Sequence, residues 1–319
     1  MAQTLARFSP PPAKLPGIAL AVPGWERCKL ARMTAEDAYL TLPTSIRLHY
    51  LDWGGSGRPL ILLHGLASSS RIWDFTAPLL AEHFHAFAFD QRGHGLSDKP
   101  GSYTFAETTG DLATLIEALS LERPVIAGHS WGAGVALQFA ADYLDIPAGI
   151  ALIDGGFAQR SSSQTWEQAE TMMRPPEIDG TPVDRFVGFM KNWPDIAPIW
   201  SEQLEEMVLS NLEVRDGKVY RRLPIPDHMK IAREIWDQKP SELYPRMNCP
   251  VLMVPAMQHS NDPKRESWTQ AKLHGIETAK KLLPDVRVVP MEDAIHDVPI
   301  QRPKELAQAI IDFADGLSP

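Results

Sequence analysis

The sequence has few cysteines, no long apolar run and no cluster of basic residues. Its 319 residues include two cysteines, Cys28 and Cys249, which are too few for a disulfide framework. No stretch approaches the roughly 18 consecutive apolar residues of a membrane-spanning helix, so we expect no membrane span. The net charge is −9, with 31 Lys and Arg against 40 Asp and Glu. Without a concentrated basic surface, we expect no nucleic-acid partner.

Patterns for metal and nucleotide binding are also missing. No His, Cys and Asp residues stand at the spacing of metal ligands. The glycine-rich run at residues 54–57 lacks the Lys-Ser/Thr pair of a phosphate loop, and we interpret it as a hairpin turn. We therefore expect no metal and no cofactor. Any chemistry must come from the side chains of an ordinary globular protein, with 44% hydrophobic and 22% charged residues.

The first part of the chain differs in composition from the rest. Residues 1–32 contain five prolines and show neither helical nor strand periodicity. The apolar run at residues 18–22 is too short for a signal peptide. We interpret residues 1–35 as a flexible N-terminal extension, with Met33 as an alternative start, and we expect a cytoplasmic protein.

From Tyr39 onward, short apolar runs alternate with longer amphipathic ones. This alternation predicts an α/β fold, in which a mostly parallel sheet carries helices on both faces. The predicted strands are residues 46–53, 59–63, 84–89, 124–128, 148–153, 250–255 and 286–290. The predicted helices are residues 71–82, 105–119, 131–143, about 266–283 and 303–315.

Residues 157–245 interrupt this alternation. The segment is rich in Trp and Met, contains many prolines and shows no clear strand. We predict a helical cap over 157–245 and a core domain formed by 36–156 and 246–319. The apolar side chains of this segment predict an apolar pocket and a small apolar substrate. The sequence does not determine the oligomeric state, and a homodimer is compatible with it.

A G-x-S-x-G pattern at residues 128–132 places Ser130 between a predicted buried strand and a predicted helix. The pattern alone also occurs in plain turns, but this strand–turn–helix context is what a nucleophile elbow requires. Glycines flank the serine where the strand and helix backbones approach too closely for a side chain. The N-terminal end of a helix also favours negative charge. We therefore predict that Ser130 is a nucleophile.

A serine hydroxyl is a poor nucleophile unless a base takes its proton. Among ten histidines, His296 is the best candidate, because it follows the last predicted strand at the sheet edge where the serine also lies. His64 ends a strand and is expected to shape a loop, and His129 is expected to point into the fold. His83 and His85 flank the start of a predicted strand, and we expect them at the protein surface or at the edge of the sheet.

Four ordered motifs resemble those of the α/β-hydrolase fold family. Residues 64–66 (HGL) resemble its oxyanion loop, and residues 90–97 (DQRGHGLS) resemble its D-x-R-G-x-G-x-S segment. Residues 128–132 resemble its nucleophile elbow, and residues 294–296 (AIH) resemble its catalytic-histidine loop. The resemblance implies a doubly wound sheet and the order serine, acid, histidine along the chain.

Of the serine, the acid and the histidine that the family uses, the acid is the residue for which the resemblance is weakest. Family members usually carry it after the strand that begins here at Pro250, where His259 stands. A histidine cannot replace a carboxylate in that role. Asp154 stands at the tip of an earlier strand, a position that some family members use, and Asp262 stands three residues after His259. We favour Asp154 and keep Asp262 as the alternative.

The resemblance further implies an oxyanion hole formed by the backbone N–H groups of Leu66 and Trp131. Serine at the nucleophile position favours acyl transfer to water, whereas relatives that open epoxides or displace halide usually carry aspartate there. The implied function is a cofactor-free carboxylesterase or lactonase that cleaves a small, largely apolar substrate. It would use a Ser-His-Asp triad and an acyl-enzyme intermediate.

Other activities stay open at this point. The same fold supports C–C bond hydrolases and cofactor-free perhydrolases. Gln91 and Trp131 resemble the proline-iminopeptidase branch, which needs an acidic pocket for a substrate amine. A non-catalytic ligand-binding receptor could also retain the fold, although Ser130 and His296 argue against it.

Overall fold

An eight-stranded sheet forms the centre of the computed structural model, in which residues 34–258 and 263–318 are described. Its strands are β1 (Glu36–Thr41), β2 (Arg47–Asp52), β3 (Pro59–Leu63), β4 (His85–Phe89), β5 (Val125–His129), β6 (Gly149–Ile153), β7 (Val251–Val254) and β8 (Val286–Val288). Their spatial order is β1-β2-β4-β3-β5-β6-β7-β8. β2 runs antiparallel to β1 and β4, and the other neighbouring pairs are parallel.

Helices connect these strands and cover the sheet. They are α1 (Ala77–Leu80), α2 (Phe105–Ala118), α3 (Trp131–Asp142), α4 (Trp166–Met173), α5 (Val183–Lys191), α6 (Glu202–Ser210), α7 (Ile225–Asp237), α8 (Pro240–Leu243), α9 (Pro263–Leu282), α10 (Val298–Gln301) and α11 (Pro303–Ala314). The predicted α/β fold with a mostly parallel, doubly wound sheet is confirmed.

The central strands are buried on both faces, as parallel strands between two helix layers must be. In β3, Leu60 and Leu62 pack into one apolar cluster, while Ile61 and Leu63 pack into another. Successive side chains of a strand point to opposite faces, so the two clusters are the cores above and below the sheet.

Two local predictions in the first half of the chain were wrong. Residues 54–57 do not form a hairpin turn, because they join β2 to β3, and β4 lies between these two strands. Gly55 is needed there because a Cβ would overlap the carbonyl oxygen of Phe84. The predicted helix 71–82 is divided into a 3₁₀ turn at Ser70–Trp73 and the short helix α1.

The segment of residues 157–245, called the insertion below, also differs from its prediction. Besides helices α4 to α8 it contains a small antiparallel sheet of Thr181–Pro182, Leu212–Arg215 and Lys218–Arg221. Asp216 and Gly217 connect the last two strands with positive φ angles of 50° and 69°. Asp-Gly is a common hairpin turn sequence, so this signal was present but overlooked.

The insertion is joined to the core by hydrogen bonds as well as by sequence. The backbone N–H of Phe105, at the start of α2, donates to Oε2 of Glu234 on α7 over 2.9 Å. Nε2 of Gln238 donates to the carbonyl oxygen of Gly134 on α3 over 2.9 Å. The insertion is therefore held at the end of the sheet where β5 leads into α3.

Other predictions fall on the ends of the chain. Residues 1–33, which form most of the predicted N-terminal extension and include Cys28, lie outside the described residues. Cys249 is buried and has no disulfide partner among the described residues. In the described part of the chain, every helix is too short or too polar to cross a membrane.

The turn from β5 into α3 brings several backbone segments unusually close together. Ser130, at this turn, has a φ of 54° and a ψ of −114°, a conformation that L residues rarely adopt. A Cβ on Gly128 would overlap the carbonyl group of Gly132, and a Cβ on Gly155 would overlap the carbonyl group of Ser130. Glycine is required at these positions because neighbouring backbone occupies the space of a side chain.

The substitution Gly128→Ala is expected to lower the free energy of unfolding by about 1–3 kcal/mol, because the turn must shift to admit a methyl group. Gly110→Ala is the matched control: Gly110 lies inside α2, and a Cβ there meets nothing within 4 Å. The control is expected to raise the stability by about 0.5–1 kcal/mol. Urea unfolding followed by circular dichroism measures both, and equal stability of the two variants would contradict the close approach.

Candidate active site

Ser130, His296 and Asp154 form one hydrogen-bonded row. Nε2 of His296 lies 3.0 Å from Oγ of Ser130, and Nδ1 of His296 lies 2.6 Å from Oδ2 of Asp154. Ser130 follows β5, Asp154 follows β6, and His296 lies between β8 and α10. All three therefore stand beyond the carboxyl edge of the sheet, where parallel α/β sheets place their sites.

Asp154 is buried, and both of its carboxylate oxygens have partners. Oδ1 accepts a hydrogen bond from the backbone N–H of Ala256 over 2.9 Å and lies 2.6 Å from Nζ of Lys272. The same Nζ donates to the carbonyl oxygen of Ala256 over 2.8 Å. A carboxylate with this many donors can stay ionised inside the protein.

Lys272 is a site residue that sequence analysis missed. It lies on α9, and its side chain is 7% exposed. A lysine in a polar helix usually marks the solvent face, so the sequence pattern contains no signal for a buried one. Only the approach of α9 to the tip of β6 shows its place.

The electrostatics of the row favour a charged acid beside a basic imidazole. Burial alone would raise the pKa of Asp154, but the hydrogen bond and charge of His296, with the charge of Lys272, lower it to about 2. The surrounding protein by itself lowers the pKa of His296, but the hydrogen bond and charge of Asp154 raise it above its ordinary value. The imidazole is thereby made a better proton acceptor.

The loop after β3 is held against the loop after β4 by side-chain hydrogen bonds. Nε2 of His64 accepts from the backbone N–H of Gln91 over 3.0 Å, and Nε2 of Gln91 donates to the carbonyl oxygen of His64 over 2.7 Å. Nε2 of His94 accepts from the backbone N–H of Ala67 over 3.1 Å. His64 shapes this loop, as its sequence position predicts, and Gln91 and His94 add supports that the prediction lacked.

Leu66 and Trp131, the predicted oxyanion-hole residues, flank Ser130. Gly65 packs directly on the serine, since a Cβ on it would lie 3.0 Å from Cβ of Ser130 and 3.5 Å from Oγ. Leu66 is the next residue along that loop. Trp131 begins α3, so its N–H belongs to the first turn, where helix N–H groups have no partner inside the helix.

The other histidines and acids singled out by the sequence have separate places. His129 is buried, as expected, and its Nε2 donates to the carbonyl oxygen of His296 over 2.9 Å, which supports the histidine loop. His85 lies 2.9 Å from Oδ1 of Asp52, away from the site, and His83 is exposed. His259 and the alternative acid Asp262 lie outside the described residues.

Two cavities meet at the site. The larger, of about 420 Å³, is lined mostly by residues of the insertion, and most of its lining side chains are apolar. Its polar lining residues are Ser68, His94, Asn211, Arg221, Arg222, His228 and Asp297. The smaller, of about 230 Å³, includes Ser130, Trp131 and Asp154 in its wall. Leu66 and His228 line both cavities. The described residues contain no group of three or more His, Cys, Asp or Glu side chains arranged to hold a metal ion.

Comparison with known proteins places this chain in a family. A family model described as the alpha/beta hydrolase family matches residues 60–309, which is most of the chain. The chain belongs to the alpha/beta hydrolase family. The match includes the elbow serine, the tip of β6 and the histidine loop.

Individual relatives match over shorter stretches. Epoxide hydrolase 1 of Caenorhabditis elegans is 39% identical over 102 residues, which make up 31% of this chain and 25% of that protein. The 2-(acetamidomethylene)succinate hydrolase of Mesorhizobium japonicum is 38% identical over 101 residues, 31% of this chain and 36% of that protein. The matched segments therefore span only about a quarter to a third of these relatives.

Solved structures match over nearly the whole described chain. A structure of E-2-(acetamidomethylene)succinate hydrolase has a TM-score of 0.72 at 23% identity and covers 88% of this chain and 100% of that chain. The enol-lactonase from Burkholderia xenovorans LB400 has a TM-score of 0.63 at 21% identity, with 87% and 100% covered. At these identities the likeness shows the fold.

Lys272→Met is expected to raise the pKa of His296 further, because the positive charge of Lys272 disfavours the protonated imidazole. An NMR titration of the imidazole nitrogens measures this without a substrate. Lys280→Met is the control, since Lys280 is on the same helix but is 48% exposed and paired with Glu277. A pKa of His296 that is unchanged or lower in Lys272→Met would contradict the assigned coupling.

Proposed function

We propose that this chain is a cofactor-free serine hydrolase that cleaves a small, largely apolar carboxylic ester or lactone. Ser130 would be the nucleophile, His296 the general base, and Asp154 the acid that orients the imidazole. The observation that carries the proposal is the continuous row from Oγ of Ser130, 3.0 Å from Nε2 of His296, to Oδ2 of Asp154, 2.6 Å from Nδ1. Such a row activates a serine for attack on a carbonyl carbon.

In the first half of the proposed reaction, Oγ of Ser130 attacks the carbonyl carbon while Nε2 of His296 takes the hydroxyl proton. The negative charge that develops on the carbonyl oxygen is stabilised by the N–H groups of Leu66 and Trp131. The carbonyl then re-forms, the ester oxygen leaves, and the imidazolium gives its proton to that oxygen. The product is an acyl-enzyme on Ser130.

In the second half, a water molecule attacks the acyl carbon and His296 takes its proton. Collapse of this second intermediate returns the proton to Oγ and releases the carboxylic acid. Asp154 stays ionised throughout and balances the charge of the imidazolium, in keeping with its pKa of about 2.

Two further observations support this choice within the family. The matched relatives include an epoxide hydrolase and a fluoroacetate dehalogenase, but serine at position 130 suits acyl transfer better than those reactions. Arg160 and Lys272, in the wall of the cavity beside Ser130, are a poor match for the amine that an iminopeptidase must hold.

We infer that the insertion acts as a cap, since its apolar side chains line the larger cavity and would receive the apolar part of a substrate.

Ser130→Ala is expected to abolish turnover of p-nitrophenyl esters and labelling by a fluorophosphonate, because the alcohol is the atom that becomes acylated. The circular dichroism spectrum and the unfolding midpoint are expected to stay close to those of the parent chain. Ser70→Ala is a control, because Ser70 is a buried serine at a different turn. Full ester turnover by Ser130→Ala would refute the proposed mechanism.

Asp154→Asn is expected to lower kcat by roughly 10⁴-fold, the scale seen when the acid of a triad becomes its amide and favours the wrong imidazole tautomer. Asp262→Asn is expected to cost little, because Asp154 already fills the position beside Nδ1 of His296. Steady-state kinetics on one ester decides between the two acids. The opposite ranking would make Asp262 the acid while leaving the hydrolase proposal intact.

A further inference from the structure

The cavity of about 230 Å³ beside Ser130 has an unusual charge for a site expected to receive an apolar substrate. Its wall contains two cationic side chains, Arg160 and Lys272, and one carboxylate, Asp154. Lys272 is 2.6 Å from Oδ1 of Asp154, so these two charges balance each other. Among the described residues of the wall, the charge of Arg160 is then unbalanced, and their net charge is positive.

Arg160 has no such partner in the part of the chain that the structure describes, where no carboxylate oxygen lies within 4.0 Å of its guanidinium nitrogens. Burial lowers the pKa of Arg160 to about 10, and the charge of Asp154 opposes this only in part. Arg160 is partly buried. A cation that is partly removed from water without a counter-ion costs free energy, and an anion bound in the cavity would recover part of that cost.

The guanidinium is also held in place. Its central carbon lies 4.1 Å from the centroid of the Trp268 ring, and Trp268 lines the same cavity. An arginine stacked on an aromatic ring still has the N–H groups at its edge free to donate. A planar carboxylate matches that edge with two parallel hydrogen bonds.

We propose that Arg160 binds a carboxylate of the substrate in this cavity, so that the true substrates are esters or lactones carrying a second, ionised carboxyl group near the scissile bond. This inference rests on the proposed serine-hydrolase function and adds the substrate class to it. A single leftover positive charge suits one carboxylate better than a phosphate dianion. The apolar part of the molecule would occupy the larger cavity, which is joined to the smaller one at Leu66 and His228.

The test uses two esters of equal size that differ by one negative charge, methyl hydrogen succinate and its amide, methyl succinamate. Hydrolysis is followed by pH-stat, and kcat/KM is compared for the two. The parent chain is expected to prefer the charged ester by about 10- to 100-fold, the scale of a charge-assisted hydrogen bond. Equal kcat/KM values for the two esters would overturn the inference.

Arg160→Met is expected to remove most of this preference, chiefly through a higher KM for the charged ester, and Arg160→Lys is expected to keep part of it. Arg233→Met is the matched control, because Arg233 also stacks on tryptophans, with centroids 4.9 Å and 4.7 Å away, but lies outside this cavity. The control is expected to keep the full preference. A full preference in Arg160→Met would assign the charge recognition to another residue and overturn the proposal.

A binding measurement separates failure of this inference from failure of the proposed function. Calorimetry on Ser130→Ala is expected to show tighter binding of methyl hydrogen succinate than of methyl succinamate, and the double variant with Arg160→Met is expected to bind them equally. This result does not depend on turnover. If the charge preference in binding is present but neither ester is hydrolysed and Ser130 is not labelled by a fluorophosphonate, the hydrolase proposal fails and the carboxylate site stands. If binding shows no charge preference while turnover and labelling are normal, the carboxylate site fails alone.

Discussion

The close contact of backbone segments around Ser130 is the constraint on which the site depends. Gly128 and Gly155 let the backbone at the end of β5, the start of α3 and the tip of β6 approach within the space of one methyl group. Ser130 is held there with a φ of 54°, directly after the end of β5. The same contact brings the tip of β6, which carries Asp154, next to the turn that carries Ser130. Both side chains are therefore within hydrogen-bond distance of the imidazole of His296.

The second determinant is the way in which the fold surrounds one buried carboxylate. Asp154 would be costly to bury alone, but the imidazole of His296, the N–H of Ala256 and the ammonium of Lys272 share its two oxygens. The acid is therefore charged and its orientation is fixed. Among the described residues, the charge balance of this group leaves Arg160 as the excess cation in the adjoining cavity, and the proposed carboxylate-bearing substrate rests on the same electrostatics.

The sequence predicted those features that depend on short local patterns. The alternation of apolar runs predicted the sheet, and the G-x-S-x-G pattern predicted the turn at Ser130. Features that depend on contacts between distant segments were harder: the choice between Asp154 and Asp262 stayed open, and Lys272 was missed because its burial depends on how α9 packs. The strands of the insertion were missed for a different reason, since the Asp216–Gly217 turn signal lay in a segment dominated by Trp, Met and Pro.

We propose above all that Ser130 attacks a carbonyl carbon whose oxygen is held by the N–H groups of Leu66 and Trp131. A crystal structure of the chain after reaction with a phosphonate ester tests it most directly, because the adduct resembles the tetrahedral intermediate. We expect phosphorus bonded to Oγ of Ser130, with one phosphonyl oxygen within about 3.2 Å of both N–H groups. A phosphonyl oxygen turned away from both N–H groups, or an adduct on another residue, would contradict it.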